Sequence, residues 1–261
     1  LGDVYKRQPT RGSRRDTARH VTWPVLPWDR VQAISSAALR RADAEAASTF
    51  GIVPMQLMEV AGWQVARFVD AFMDGIKNKR VTVVAGSGNN GGDALVAARF
   101  LLQRGAIVSA SIVPARDPNS LAAHHALTVR GLGIPVVHAP QGIGPSADVL
   151  IDGLLGTGIQ LPLRQAALAI IQAMNATGRP IVAIDVPSGM DADNGTGAEA
   201  AVRAAATVTL VAPKPGLAGA ANAGRVFVAD IGMPGTLFGA EGETLAALYA
   251  AGELVELVAS N

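Results

Sequence analysis

Downstream of residue 80 the chain alternates between short apolar runs and longer segments whose apolar residues recur every three or four positions. The short runs are 81–85, 107–113, 135–138, 148–154, 180–185, 207–212 and 226–230. Runs of this kind mark strands buried on both faces, and the periodic segments between them predict helices over 90–104, 120–132 and 165–177. Strand–helix–strand repetition implies an α/β fold, a three-layer sandwich with a mostly parallel central sheet. Upstream, a helix is predicted over 29–50, with Asp29 as N-cap and Ile34, Ala38, Ala42 and Ala46 on one face. A second follows over 54–74, with Leu57, Val60, Ala61, Val65 and Phe68 as its buried stripe. Residues 236–261 read as a final helix or a linker.

Three apolar runs end in a glycine turn or a carboxylate. Gly86, Gly88 and Gly91 follow the first; Asp152 and then Gly156, Thr157 and Gly158 close the fourth; Asp185, Pro187, Ser188 and Gly189 close the fifth. In a doubly wound sheet with strand order 3-2-1-4-5, ligands bind at the C-terminal strand ends beside the switch point. These turns would then surround one crevice.

The residues narrow the chemistry. The Gly86-x-Gly88-x-x-Gly91 spacing fits a dinucleotide turn, and equally a tight turn needing positive φ. Asp93 sits where a pyrophosphate would be held and would repel it, and no acid closes the second strand to hold a ribose. An ordinary NADP-dependent oxidoreductase is therefore disfavoured; Arg116 is its one weak support. Asp185 ends a strongly apolar strand, where partial burial raises a carboxyl toward the range useful for proton transfer. The alternatives are a turn-forming Asp at 185 and a helix cap at Asp152. Asn90, Asp152 and Ser188 are hard oxygen donors suited to a hard cation. His124 and His125 are adjacent on a helix, point apart and read as surface residues; His20 and His138 have no evident partner.

Composition excludes several classes. There is no cysteine, hence no disulfide or thiolate metal site. Lys6, Arg7, Arg11, Arg14, Arg15 and Arg19 against Asp3 and Asp16 give residues 1–20 a net charge of +4, so the remainder carries −3. The body offers no broad basic face for nucleic acid. No run of about 18 apolar residues occurs, so no membrane-spanning helix is expected. Residues 1–27 read as a disordered leader, 28–237 as the domain, and 238–261 as its C-terminal helix or linker.

The motifs Leu57-Met58-Glu59-Val60-Ala61-Gly62, Gly88-Asn89-Asn90-Gly91-Gly92-Asp93, Asp152-Gly153-Leu154-Leu155-Gly156-Thr157-Gly158, Asp185-Val186-Pro187-Ser188-Gly189 and Ala212-Pro213-Lys214-Pro215-Gly216 resemble the NAD(P)H-hydrate epimerase family, over roughly 28–235. The resemblance implies a Rossmann-like αβα sandwich that interconverts the R and S hydrates of NADH and NADPH in the cytoplasm. It implies a substrate site of Asn89, Asn90, Gly91, Gly92 and Asp93 with Gly156, Thr157, Gly158, Ile159, Gln160, Leu161, Pro162 and Asp185. Asp185 would be the acid/base, with Asp93 a second candidate, and Asn90, Asp152 and Ser188 would bind a potassium ion. Family members are often dimers, which marks the helices before residue 75 for pairing. The family's other half, a dehydratase, fused or separate, is a further expected partner. Ala94 stands where the family usually has glycine, a change expected to be tolerated. The competing reading is a non-catalytic binding or scaffold module of the same fold.

Overall fold

A computed structural model describes residues 22–260. The basic leader up to residue 21, with His20, lies outside them. The strands are β1 (Val25–Pro27), β2 (Arg80–Ala85), β3 (Ile107–Ile112), β4 (Val136–His138), β5 (Val149–Gly153), β6 (Ile181–Ile184), β7 (Ala206–Leu210), β8 (Arg225–Ala229) and β9 (Leu254–Val258). The helices are α1 (Ser36–Phe50), α2 (Pro54–Phe72), α3 (Asn89–Gln103), α4 (Leu121–Gly131), α5 (Gln165–Ala176) and α6 (Glu241–Ala251). The strands form one sheet in the order β1-β9-β8-β7-β6-β5-β2-β3-β4. Every neighbouring pair is parallel except β8 and β9.

The expected central order, 3-2-1-4-5, is the observed β4-β3-β2-β5-β6. Alternation along these strands builds two cores. Val81, Val83 and Ala85 of β2, Val149 and Ile151 of β5, and Val182 and Ile184 of β6 pack with α1 to α4 and α6. Val84, Leu150 and Ala183 pack on the other face with Ile170, Ile171 and Met174 of α5. Both faces of the centre are covered, which is why these strands read as unbroken apolar runs rather than alternating ones.

Three expectations are corrected. The first helix begins at Ser36, not Asp29; Ser35 is its N-cap and accepts from the Ala38 N–H at 3.3 Å, while Trp28–Arg30 is a separate 3₁₀ turn. A serine hydroxyl in the right place outweighs the apolar period that continues upstream of it. Val60 is exposed rather than part of the α2 stripe. The ends of the described chain are sheet: β1 lies within the stretch read as leader, and the C-terminal stretch read as helix or linker holds the helix α6 and then β9. β9 runs antiparallel to β8 and parallel to β1, and Leu254, Val255 and Leu257 are buried. Among the described residues no helix is long and apolar enough to cross a membrane.

Candidate functional site

The C-terminal ends of β2, β5, β6 and β7 meet around a cavity of about 510 Å³, also walled by α1 and α2. Its floor depends on backbone contact. A Cβ on Gly91 would stand 1.9 Å from the Gly86 carbonyl oxygen, and one on Gly86 equally close to that of Leu154. None of Gly86, Gly88 and Gly91 has a positive φ. Close approach, not left-handed backbone, makes glycine necessary at 86 and 91. Ala94 is fully buried, and its methyl occupies the space that a side chain on Gly153 would need.

Beneath the cavity lies a chain of oxygens. The Asn90 side-chain amide donates to the Leu155 carbonyl at 2.9 Å. The Ser188 hydroxyl lies 3.2 Å from that carbonyl and donates to Asp152 Oδ1 at 2.6 Å. The Ser188 N–H donates to Asp152 Oδ2 at 2.8 Å, and the Leu154 N–H to Oδ1 at 3.2 Å. Burial pushes the Asp152 carboxyl up to about 6, against the pull of these three donors. Asn90 Oδ1 is buried with no partner among the described residues. The Leu155 carbonyl can only accept, so it holds the Asn90 amide with its oxygen turned to the unsatisfied side. An orphaned buried oxygen beside one carboxylate, a hydroxyl and a carbonyl is a donor set that fits a hard monovalent cation.

Above it lies a cluster of acids. Asp185, one residue past β6, has φ +68 and its N–H bonds the Val208 carbonyl at 2.8 Å. Val211, one residue past β7, has φ +67. Positive φ is costly in a non-glycine residue, most of all a β-branched one, and such strain collects at functional rims. Asp185 is ion-paired with Lys214. The lysine is buried, and also donates to Thr209 Oγ1 at 3.0 Å and the Leu210 carbonyl at 2.7 Å, so all its protons are placed. Asp93, the fifth residue of α3, is buried, and its carboxyl is pushed well above the usual range, first by burial and then by the charges of Asp185 and Asp43. Asp43, on α1 at the mouth, is exposed in surface area but crowded by neighbouring atoms; its carboxyl is raised by that desolvation and by Asp185.

The structure brings Asn89, Asn90, Asp93, Gly156, Thr157, Gly158, Ile159 and Asp185 to the cavity wall. A Cβ on Gly156 would be 3.2 Å from Asn90 Cβ and 3.7 Å from an Asp185 carboxylate oxygen, so the second turn sits directly between the other two. Gly91 and Gly92 are buried in α3 and do not line it. Gln160 lines a second cavity of about 340 Å³; Leu161 and Pro162 line neither. Asp152 and Ser188 are fully buried behind the wall. Arg116 lines neither cavity. His125 is buried rather than a surface residue, whereas His124 and His138 are exposed.

Sequence reasoning gave no role to Asp43, Arg40 or Lys214, all of which line the cavity. Asp43 and Arg40 lie on the exposed side of an ordinary amphipathic helix and carry no local signal. Lys214 does carry one, since a lone lysine between Pro213 and Pro215 directly after an apolar strand is poorly placed for solvent.

Residues 54–216 match the family model described as YjeF-related protein N-terminus. The bifunctional NAD(P)H-hydrate repair enzyme of Hyperthermus butylicus is 41% identical over 192 residues, covering 70% of this chain and 35% of the relative. The enzyme of the same name from Salinibacter ruber is 36% identical over 220 residues, covering 77% and 41%. The chain thus spans well under half the length of these relatives. The crystal structure of the yeast protein YNL200c superposes with a TM-score of 0.69 at 27% identity, covering 76% of this chain and 88% of that one. With the matched segment running from the start of α2 through Lys214 and taking in the ends of β2, β5, β6 and β7, the chain belongs to the YjeF-related protein N-terminus family.

Proposed function

We propose that this chain is an NAD(P)H-hydrate epimerase, an isomerase that interconverts the R and S hydrates of NADH and NADPH in metabolite repair. The observation that supports it most is the pairing of carboxyls in unlike settings within one cavity. Asp93 is desolvated and favours its protonated form, whereas Asp185 faces a buried ammonium. Two carboxyls placed in one cavity can divide the roles of proton donor and acceptor. Epimerisation at the hydrated carbon breaks a bond to hydroxyl and remakes it on the other face, and each direction needs a proton given and a proton taken. Asp185 is the acid/base that contacts the substrate, and Asp93 holds the second proton within the same wall. Positioned proton transfer of this kind contributes about 10²–10⁴-fold.

Asn90, Asp152 and Ser188 would hold a potassium ion, whose charge would offset that of the buried Asp152 carboxylate and steady the 154–158 turn. Asn89 and the turn from Gly156 to Ile159 orient the nicotinamide end. Homologues named as bifunctional support a fused or separate dehydratase as partner. Pairing of two copies through the helices before residue 75 and a cytoplasmic location complete the reading.

The test is to incubate the R hydrate of NADPH with the protein, in potassium or in choline salt, and to follow the S form by chromatography. The S form should accumulate to equilibrium, faster in potassium. A folded protein that leaves the R form untouched in both salts would overturn the reading.

A further inference from the structure

The second cavity, of about 340 Å³, opens beside the first, and Ser87, Leu154, Leu155, Gly158 and Ile159 wall both. The two differ in charge. The first carries Asp43, Asp93 and Asp185 along with Arg40 and Lys214. Among the described residues no carboxylate lines the second, and its one charged group is Arg164. Arg164 is exposed and forms no ion pair among the described residues. The rest of the second cavity is largely apolar, with Val113, Leu163 and Ile170 among its walls.

We propose that this second cavity binds the adenosine-phosphate half of the substrate, with Arg164 taking its phosphate charge and the apolar wall taking the adenine face. The assignment rests on the epimerase reading for which half is placed where. A nicotinamide hydrate ring is uncharged and rich in polar groups, which suits the acid-lined cavity. A pyrophosphate beside Asp43 and Asp185 would be repelled, and the repulsion grows as water is excluded. The adjoining space offers the opposite: a guanidinium, which binds phosphate oxygens in a fork, beside apolar surface on which a purine can lie. Gly158 and Ile159 stand at the junction of the two spaces, so one substrate would cross the loop there. Gln160, which lines only the second cavity, then belongs to the phosphate side rather than to the reacting ring.

The experiment compares wild type, Arg164→Ala, Ala166→Trp and Arg40→Ala. Ala166 is exposed on the first turn of α5 and lines the second cavity, so a tryptophan there fills the space without entering a core. Steady-state epimerisation of the NADPH hydrate should show KM raised about tenfold in Arg164→Ala and in Ala166→Trp, with kcat little changed, as loss of a charge-assisted contact made equally in ground and transition states requires. Calorimetric titration with ADP should show binding to wild type and a loss of about tenfold in both variants. An unchanged KM and unchanged ADP affinity in both, absence of ADP binding to wild type, or the same losses in Arg40→Ala alone, would overturn the assignment. Arg164-dependent ADP binding in a wild type that does not epimerise would keep the cavity assignment and remove the proposed reaction instead.

Discussion

Asp152 and Asp185 end neighbouring parallel strands, and both follow an unbroken apolar run. Their surroundings are nonetheless opposite. Asp152 is fully buried, and its oxygens are taken up by the Ser188 N–H and hydroxyl and by the Leu154 N–H. Asp185 lies on the cavity wall, 15% exposed at its side chain, on a left-handed backbone and ion-paired with Lys214. The difference comes from the residues across the gap rather than from either strand. Ser188 reaches back from the turn after β6 to seal Asp152, whereas Lys214 arrives from the loop after β7 and leaves Asp185 open on one side. A strand-end carboxylate is thus either a tie between turns or a group offered to a ligand, and the next strand over decides which.

Substitution separates the two. Asp185→Asn should lower epimerisation by about 10²–10⁴-fold while leaving the melting temperature near that of wild type. A variant that melts normally and turns over at the wild-type rate would remove Asp185 from its role. Lys214→Met comes next. Taking one partner from a buried ion pair costs about 3–5 kcal/mol, and the remaining exposure of Asp185 puts the expected loss at the lower end, read by urea unfolding. Asp152→Asn should act on stability first. Its amide cannot accept all the bonds that the carboxylate takes, at a cost of about 1–3 kcal/mol, and its turnover should no longer respond to potassium. If instead Asp152→Asn left stability and the potassium response intact, the contrast between the strand ends would fail.

The sheet centre was legible because both faces of β2, β5 and β6 are covered, and full burial leaves an unbroken apolar run that survives in sequence. Strand order followed from the switch-point rule, and with it the meeting of Asn90, Asp152 and Asp185. The edge was not legible. β9 is five residues long and carries Glu256 between Val255 and Leu257, and β1 is a three-residue strand ending in Pro27, so neither announces itself. Asp43 and Arg40 reach the site only because α1 is laid across the mouth, a tertiary placement with no local trace. The failure at His125 was one of face: two adjacent histidines on a helix point apart, but one of those directions led into the packing between helices.

That error leaves the smallest and last of the expected effects, and Asp93 supplies its counterpart. Asp93 has a raised carboxyl, so as pH climbs above 3.8 the unfolded chain gives up its proton while the folded site keeps it, and stability falls with rising pH until the folded site ionises too. His125 is lowered from 6.5, chiefly by burial, with Glu59 opposing and His124 and Arg99 adding to the shift. Below pH 6.5 the unfolded chain takes up a proton that the folded site resists, so here stability falls as pH falls. Its Nε2 is buried without a partner among the described residues, so an added proton there has no acceptor among them. Melting temperature measured across pH should therefore lose the decline that sets in above pH 3.8 in Asp93→Asn and, by a smaller margin, the decline below pH 6.5 in His125→Leu. An acid limb that persists unchanged in His125→Leu would assign that decline to other groups and leave His125 as packing alone.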